Sequence, residues 1–546
     1  MAKASKAKSA SRQAVVVVHG IGEQKPGETL DNILKGLGKA DALAGSKLVY
    51  VPDRRTGSRE LYRVTTVNSE GEDARRTDFY EFYWADIMAG NTFDDVKAWV
   101  SGLLMKRFGD VPPHVRWPWY GLWALTMLIV LLAVLTVFTL IDGQTYDGWV
   151  SFGVAALGLG LLGWMMKVLL RNDRTSKEKW VAAALRVGLV ALFVIPMFWL
   201  GIHDVLLGHP ATYLAAILGG IIYGVRRFLI PYVGDVARYT QIKPETVAKR
   251  AEVINRGLAL LRALHGMSAH PAHGQIDADA VPDYDRVIVV AHSLGSIIAY
   301  DLLRHLWMEC GPVRGGVSSA QGLRSLKRFG DLMAQWENGE EAFEIDTLRD
   351  QQRSVCADLA QTAQAWRVSD FVTIGSPLTH AEFLLSDDRE TFQTLIEKGL
   401  LPTLPPRLYD AEGQMLNAND AGLNPLVYES SGTLFARHTA AFAATRWTNI
   451  YDDPKGGVFK GDVVSGSLRA LFGIGISDVN MTILRDGTSR CFTHTSYWLP
   501  SARATLVDPT AWIASALGPD AAKHHLDVLA AAMDLSEKPR PQTGEA

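Results

Sequence analysis

The chain has 546 residues, with 55 Lys and Arg against 58 Asp and Glu, a formal charge of −3. That balance excludes nucleic acid from the expected partners, because a nucleic-acid binder carries surplus positive charge to displace counterions from phosphates. At 48% hydrophobic and 21% charged residues the chain is neither disordered nor collagenous, and a mean hydropathy slightly above zero points to lipid contact for part of it.

Residues 1–13 hold Lys3, Lys6, Lys8 and Arg12 without an acid or an apolar run, so they read as a flexible basic tail and not as a cleaved export signal. Residues 14–18, AVVVV, form a β-branched run that stops at His19, Gly20, Ile21 and Gly22. This pattern predicts a buried strand with a glycine loop at its carboxyl end, where backbone N–H groups can turn towards a ligand. No Lys follows in a phosphate-loop arrangement. Trp84 and Asp86 are candidate pocket residues, with packing on an edge strand as the alternative.

Residues 119–141 run without a charge, and a helix of that length spans about 34 Å, enough for a hydrocarbon core of about 30 Å. Further apolar runs at 149–166, 180–200 and 206–225 bring the expected crossings to four. Arg171, Arg174, Lys177 and Lys179 lie between the second and third runs, and Arg226 and Arg227 follow the fourth. The positive-inside rule puts those loops, and both flanking segments, in the cytoplasm. A transport role is disfavoured because the runs carry no intramembrane charge beyond Arg186.

His265, His270 and His273 fall in a Gly/Pro/Ala-rich stretch without helical ligand spacing, which predicts a surface loop and no metal site. Cys310, Cys356 and Cys491 are odd in number and far apart, so neither a disulfide framework nor a zinc site is expected. No cofactor is implied.

Residues 286–296, RVIVVAHSLGS, read as strand, sharp turn and helix start, with Ser293 at the tip of a nucleophile elbow of the form A-x-S-x-G. Ala291 replaces the usual first glycine, and a helix-capping Ser293 is the plainer alternative. His292 is expected to pack away from the site. A strand at 370–374 ends at Gly375, Ser376, Pro377 and Leu378, and another near 446–451 ends at Asp452, Asp453 and Pro454. His494 follows in CFTHTSYW, residues 491–498. The order serine, acid, histidine is the one that distinguishes a particular class of serine hydrolases.

Taken together, VVVVHGIGEQ, VVAHSLGS, TIGSPL and WTNIYDDPKGG leading to HTSYW resemble the α/β-hydrolase superfamily of lipase and esterase type, and FYEFYWAD at residues 79–86 resembles bacterial, membrane-anchored members of it. The resemblance implies an α/β-hydrolase fold with a mostly parallel central sheet, interrupted by a four-helix transmembrane insertion. Its parts would be the tail 1–13, hydrolase segments 14–115 and 231–510, the insertion 116–230, and a C-terminal helix and disordered tail at 511–546. By the same resemblance Ser293 is the nucleophile, His494 the general base, Asp453 the orienting acid, and the N–H groups of Ile21 and Leu294 the oxyanion hole. Asp452 and Asp462 are the alternatives for the acid. The expected activity is cleavage of a carboxylic ester of a lipid or acyl chain at a bacterial inner membrane, with thioester or amide cleavage on the same site as alternatives. A rival is a non-catalytic membrane protein whose hydrolase-like domain only binds. Residues 303–366 and 379–440 are expected to supply a cap over the pocket.

Overall fold

The computed structural model describes residues 12–67, 76–88, 244–267, 284–313, 320–361, 366–454, 461–489, 493–507 and 525–535, each apart from short breaks, with scattered positions at 101–130, 235–240 and 513. Two compact units emerge: residues 1–89, 242–384 and 390–546, and residues 90–241 with 385–389.

The first unit is an α/β assembly. Its strands are β1 (Arg12–Val18), β2 (Lys47–Pro52), β3 (Tyr62–Val67), β4 (Arg76–Phe82), β5 (Arg286–His292) and β6 (Val368–Ile374), the short hairpins β7 (Leu408–Tyr409) with β8 (Met415–Leu416) and β9 (Val427–Ser430) with β10 (Thr433–Ala436), then β11 (Arg446–Tyr451), β12 (Ser477–Arg485), β13 (Thr488–Ser489) and β14 (Ala502–Leu506). The main helices are α1 (Glu28–Leu37), α2 (Pro244–Leu264), α3 (Leu294–Cys310), α4 (Ala320–Glu337), α5 (Ile345–Leu359) and α6 (His525–Met533). The nine-strand path of the sheet runs β13-β12-β11-β6-β5-β1-β4-β3-β2, with β14 also paired to β12. Pairing is parallel from β4 through β1, β5, β6 and β11 to β12. It is antiparallel at β2-β3-β4 and at the β12 margin.

Central parallel strands bury both faces, and that is why 14–18 is a continuous apolar run. Val15, Val17, Ile288, Val290, Val372 and Ile374 join Leu30, Ile33, Leu34 and Leu37 of α1 and Leu526 and Leu529 of α6 in one core. Val16, Val18 and Val289 meet Leu260 and Leu261 of α2 and Leu302 and Leu303 of α3 on the other side. Each such side chain contributes about 1.5–3 kcal/mol when withdrawn from water.

At the amino ends of β5, β6 and β11 lies a buried charge cluster. Asp370 pairs with Arg286 and Arg446, and Arg446 and Arg353 both reach Asp534 just past α6. Arg286 also donates to the carbonyls of Met533 and Asp534. Burial alone would raise the Asp370 carboxyl, but the two guanidinium groups hold it well below the usual carboxylate range. The cluster staples α6 to the sheet edge opposite the carboxyl ends.

Helix α5 belongs to the packed layer and is no cap. Arg349 donates to the Thr448 hydroxyl of β11 and Gln352 to the carbonyls of Phe442 and Thr445. β4 lies between β1 and β3, so packing on an edge strand, the alternative reading for Trp84 and Asp86, is excluded.

In the second unit, Arg116 stacks over the Phe108 ring at 4.5 Å and donates to the Val111 carbonyl. No helix among the described residues is long and apolar enough to cross a membrane. The runs 149–166, 180–200 and 206–225 lie outside the described residues, as does most of 119–141, which is described mainly at its helical start.

Candidate active site

β5 ends at His292, α3 begins at Leu294, and Ser293 makes the turn at φ 54°, ψ −133°. A non-glycine residue in such a conformation costs of order 1–3 kcal/mol, so the surroundings must enforce it. The Ser293 N–H donates to the Ile374 carbonyl at 3.0 Å, and its own carbonyl accepts from Ser296 N–H at 2.9 Å. The hydroxyl makes no capping bond to α3, which removes the helix-cap alternative. Gly295 explains the second small position of the motif, since a Cβ there would sit 2.5 Å from the carbonyl oxygens of both Val18 and His19. The start of α3 is thus pressed against the end of β1, with the Leu294 N–H in its first turn.

The carboxylate beside His494 is that of Asp462. His494 Nδ1 lies 2.9 and 3.1 Å from its two oxygens. The expected acid, Asp453, is exposed, and its backbone N–H faces Asn480 Oδ1. The sequence assignment is therefore corrected, because the chain after β11 turns Asp453 to solvent and returns Asp462 to the interior. Asp462 also accepts from the Tyr497 hydroxyl at 2.8 Å and the Val464 N–H at 3.0 Å. Burial works to raise its pKa, but His494 and these donors outweigh burial and leave it below the usual range. An Asp462 so held accepts from Nδ1–H and leaves Nε2 as the basic nitrogen of His494.

Asp452 has a different task. Its Oδ2 accepts from the Thr493 hydroxyl at 2.7 Å and the Ile483 N–H at 3.2 Å, and the Thr493 N–H donates to Gly461 O. It ties the residue before His494 to β12. Gly375, at φ 57°, makes room for the pair: a Cβ there would meet Tyr497 Cε2 at 3.0 Å, Asp462 Oδ2 at 3.1 Å and His494 Cε1 at 3.2 Å.

The glycine loop after β1 closes on the same place, since a Cβ on Gly20 would lie 2.8 Å from Ser293 Cβ. His19 shapes this loop. Its Nδ1–H donates to Gly20 O at 2.8 Å, and Nε2 accepts the Trp84 N–H at 3.1 Å. The Trp84 indole N–H donates to His19 O, and the two rings stack at 4.8 Å. Burial pushes the His19 pKa down to about 4, consistent with this neutral tautomer. Ile21 follows, half-buried. Trp84 therefore braces the loop, while Asp86 is drawn off to Arg256.

Ser293, Leu294 and the glycine loop that carries Ile21 thus meet at the carboxyl ends of β1 and β5, with His494 and Asp462 beside them, and Asp453, just past the carboxyl end of β11, is turned to solvent instead. Sequence reasoning missed Tyr497, and His292, expected to pack away from the site, packs against His494 instead. His292 is buried beside the site, its ring centroid 4.7 Å from that of His494. Tyr497 sits three residues after His494, a spacing that could have suggested a shared turn. His265 is buried, bonded to Leu261 O and Arg367 N–H, and so is not on a surface loop; His270 and His273 lie outside the described residues.

Comparison with protein-family models, with curated proteins and with solved structures gives no match.

Proposed function

We propose that the protein is a serine hydrolase of the α/β-hydrolase type that cleaves a carboxylic ester. One observation carries this reading: a serine forced to positive φ at a strand-to-helix turn, beside a glycine loop and a buried Asp462–His494 pair. The sheet supports it as well, with the serine after β5, the acid after β11 and the histidine after β12.

In this reading the Ser293 oxygen attacks the acyl carbon while His494 Nε2 takes its proton. The oxyanion forms against the N–H groups of Leu294 and Ile21. Collapse breaks the bond to the leaving alkoxide, which receives the proton from His494 and leaves an acyl-serine. Water, deprotonated by His494, then adds to the acyl carbon and releases the carboxylic acid and Ser293. Asp462 fixes the tautomer and stabilises the imidazolium formed in both halves. No cofactor enters any step.

The four apolar runs support a membrane location with the hydrolase segments in the cytoplasm, and they favour a lipid or acyl-chain ester as substrate. Alkaline extraction of membranes should leave the chain in the pellet; release into the supernatant would refute the anchoring.

The test of the chemistry is labelling of detergent-solubilised protein by a fluorophosphonate, with Ser293→Ala and His494→Ala in parallel. Labelling abolished by Ser293→Ala and strongly slowed by His494→Ala is expected. A folded protein that does not label, or labels unchanged as Ser293→Ala, refutes the reading.

A further inference from the structure

The residue before the nucleophile has a geometry of its own. His292 is 4% exposed and its Nε2 lies 2.9 Å from the backbone carbonyl of His494. A carbonyl only accepts, so the ring proton is on Nε2. Nδ1 is buried without a hydrogen-bond partner among the described residues, and it faces Gly20, where a Cβ would lie 2.9 Å away. The ring packs edge-on against Trp498 at 4.6 Å between centroids and tilted against His494 at 4.7 Å.

A neutral imidazole buried with one ring nitrogen unpartnered is a costly way to fill space. An apolar side chain would fill the space without the penalty. The single hydrogen bond of this ring goes to the backbone of the candidate general base, and its covalent neighbour is the candidate nucleophile. Three segments distant in sequence therefore meet on one side chain: the elbow, the histidine turn and the glycine loop.

We propose that His292 is a positioning residue that sets the distance between Ser293 and His494 by holding the His494 carbonyl through its Nε2–H. The inference rests on the serine-hydrolase reading above. Side chains at 494 reach the nucleophile only if the turn at residues 493–497 keeps its place. On its inner side that turn is held by Asp452 and Asp462, and on the elbow side by His292. Displacements of about 1 Å in such a constellation cost roughly a hundredfold in rate.

The test compares fluorophosphonate labelling of the full-length, detergent-solubilised protein with that of His292→Phe, which keeps an aromatic side chain and loses the donor, and His292→Gln, whose amide N–H can reach the same carbonyl. Thermal midpoints are taken on the same preparations. The maximal labelling rate is expected to fall about ten- to a hundredfold in His292→Phe, with the half-saturating probe concentration unchanged, and to recover in large part in His292→Gln. If His292→Phe labels at the wild-type rate, or His292→Gln is as slow as His292→Phe, the positioning role is overturned. It is overturned equally if both variants fail to fold, since His292 is then a packing residue. Wild-type protein that does not label at all defeats the serine-hydrolase reading instead, and Ser293→Ala separates the two outcomes.

Discussion

Asp462→Asn is the sharpest perturbation of the site, because three donors converge on that carboxylate: His494 Nδ1–H, the Tyr497 hydroxyl and the Val464 N–H. An asparagine offers one acceptor oxygen and one NH2 in their place. If the oxygen stays with Tyr497, the NH2 faces Nδ1 and drives the His494 proton to Nε2, where it blocks proton transfer from Ser293. If the oxygen turns to His494, the Tyr497 hydroxyl loses its acceptor and can only accept from the amide, and the developing imidazolium still loses its anion. Loss of the orienting acid in a triad costs about 10⁴ in turnover, or roughly 5.5 kcal/mol of barrier. Asp453→Asn, at an exposed position, should stay within about twofold of wild type. Hydrolysis of a short-chain nitrophenyl ester, referred to the fraction of protein folded by thermal melt, measures both. If Asp462→Asn keeps more than a tenth of wild-type turnover while Asp453→Asn collapses, the geometric assignment of the acid is wrong.

Other consequences can be read from single residues. Gly295→Ala places a Cβ 2.5 Å from two backbone carbonyls and must push α3 off β1, so it should lower stability by about 1–3 kcal/mol and nearly abolish labelling, read by melting and by probe. Asp370→Ala leaves Arg286 without its carboxylate and Arg446 with Asp534 alone, and should cost about 3–5 kcal/mol in denaturant unfolding, whereas an unchanged midpoint would show the cluster to be energetically idle. Glu81, buried on β4, accepts from the N–H groups of Gly27, Thr29 and Leu30 at the start of α1, yet burial is the larger influence and raises its pKa to about 7. Its folded carboxyl is raised above the unfolded value of 4.5, so its stabilising contribution is complete below that value and is lost as pH rises through about 7. That amounts to about 3 kcal/mol at full ionisation. Urea midpoints at pH 5 and pH 8 should differ accordingly in wild type and much less in Glu81→Gln; equal losses in both proteins would remove Glu81 as the cause.

The central fold was legible because its strands obey a simple rule. Runs at 14–18 and 287–291 are apolar on every position, as only strands buried on both faces are, and each is followed by the small residues a close turn requires. Ser293 and Gly295 were readable for the same reason: the steric demands of the elbow are local, and they leave a local pattern. The acid was not readable. Asp452, Asp453 and Asp462 are alike in type and close in sequence, and their difference lies in which way the chain turns after β11. One local signal did exist. Gly461 stands at φ 88°, its Cβ position 2.8 Å from Asp453 O, so the residue before the buried acid is one that only glycine fills comfortably. The antiparallel margin β2-β3 leaves no clear period: β2 is largely apolar yet mostly exposed, so side-chain type and burial do not alternate together, and the interior place of β4 is set by topology, which a local pattern does not carry.

Strain at Ser293 and the arginine cluster around Asp370 lie at opposite ends of the same strands, and this separation has a physical consequence. A serine held at positive φ persists only if the frame around it resists relaxation. That frame is β1, β5 and β6, tied together by buried valines and, at their amino ends, by Arg286 and Asp370. Asp370 and Asp462 are both held below the usual carboxylate range, the first by two guanidinium groups and the second chiefly by His494 against the pull of burial. Both contributions to stability are present above the ordinary aspartate pKa and are lost as pH falls through the depressed one. Only the second is coupled to the groups that would react in the proposed reaction. Loosening the clamp should therefore change how much protein is folded while leaving the labelling rate of each folded molecule intact, whereas loosening Asp462 should slow the labelling of each folded molecule as well. A clamp variant whose folded fraction labels slowly would mean that the elbow relaxes when the far edge does, and that frame and site are one mechanical unit.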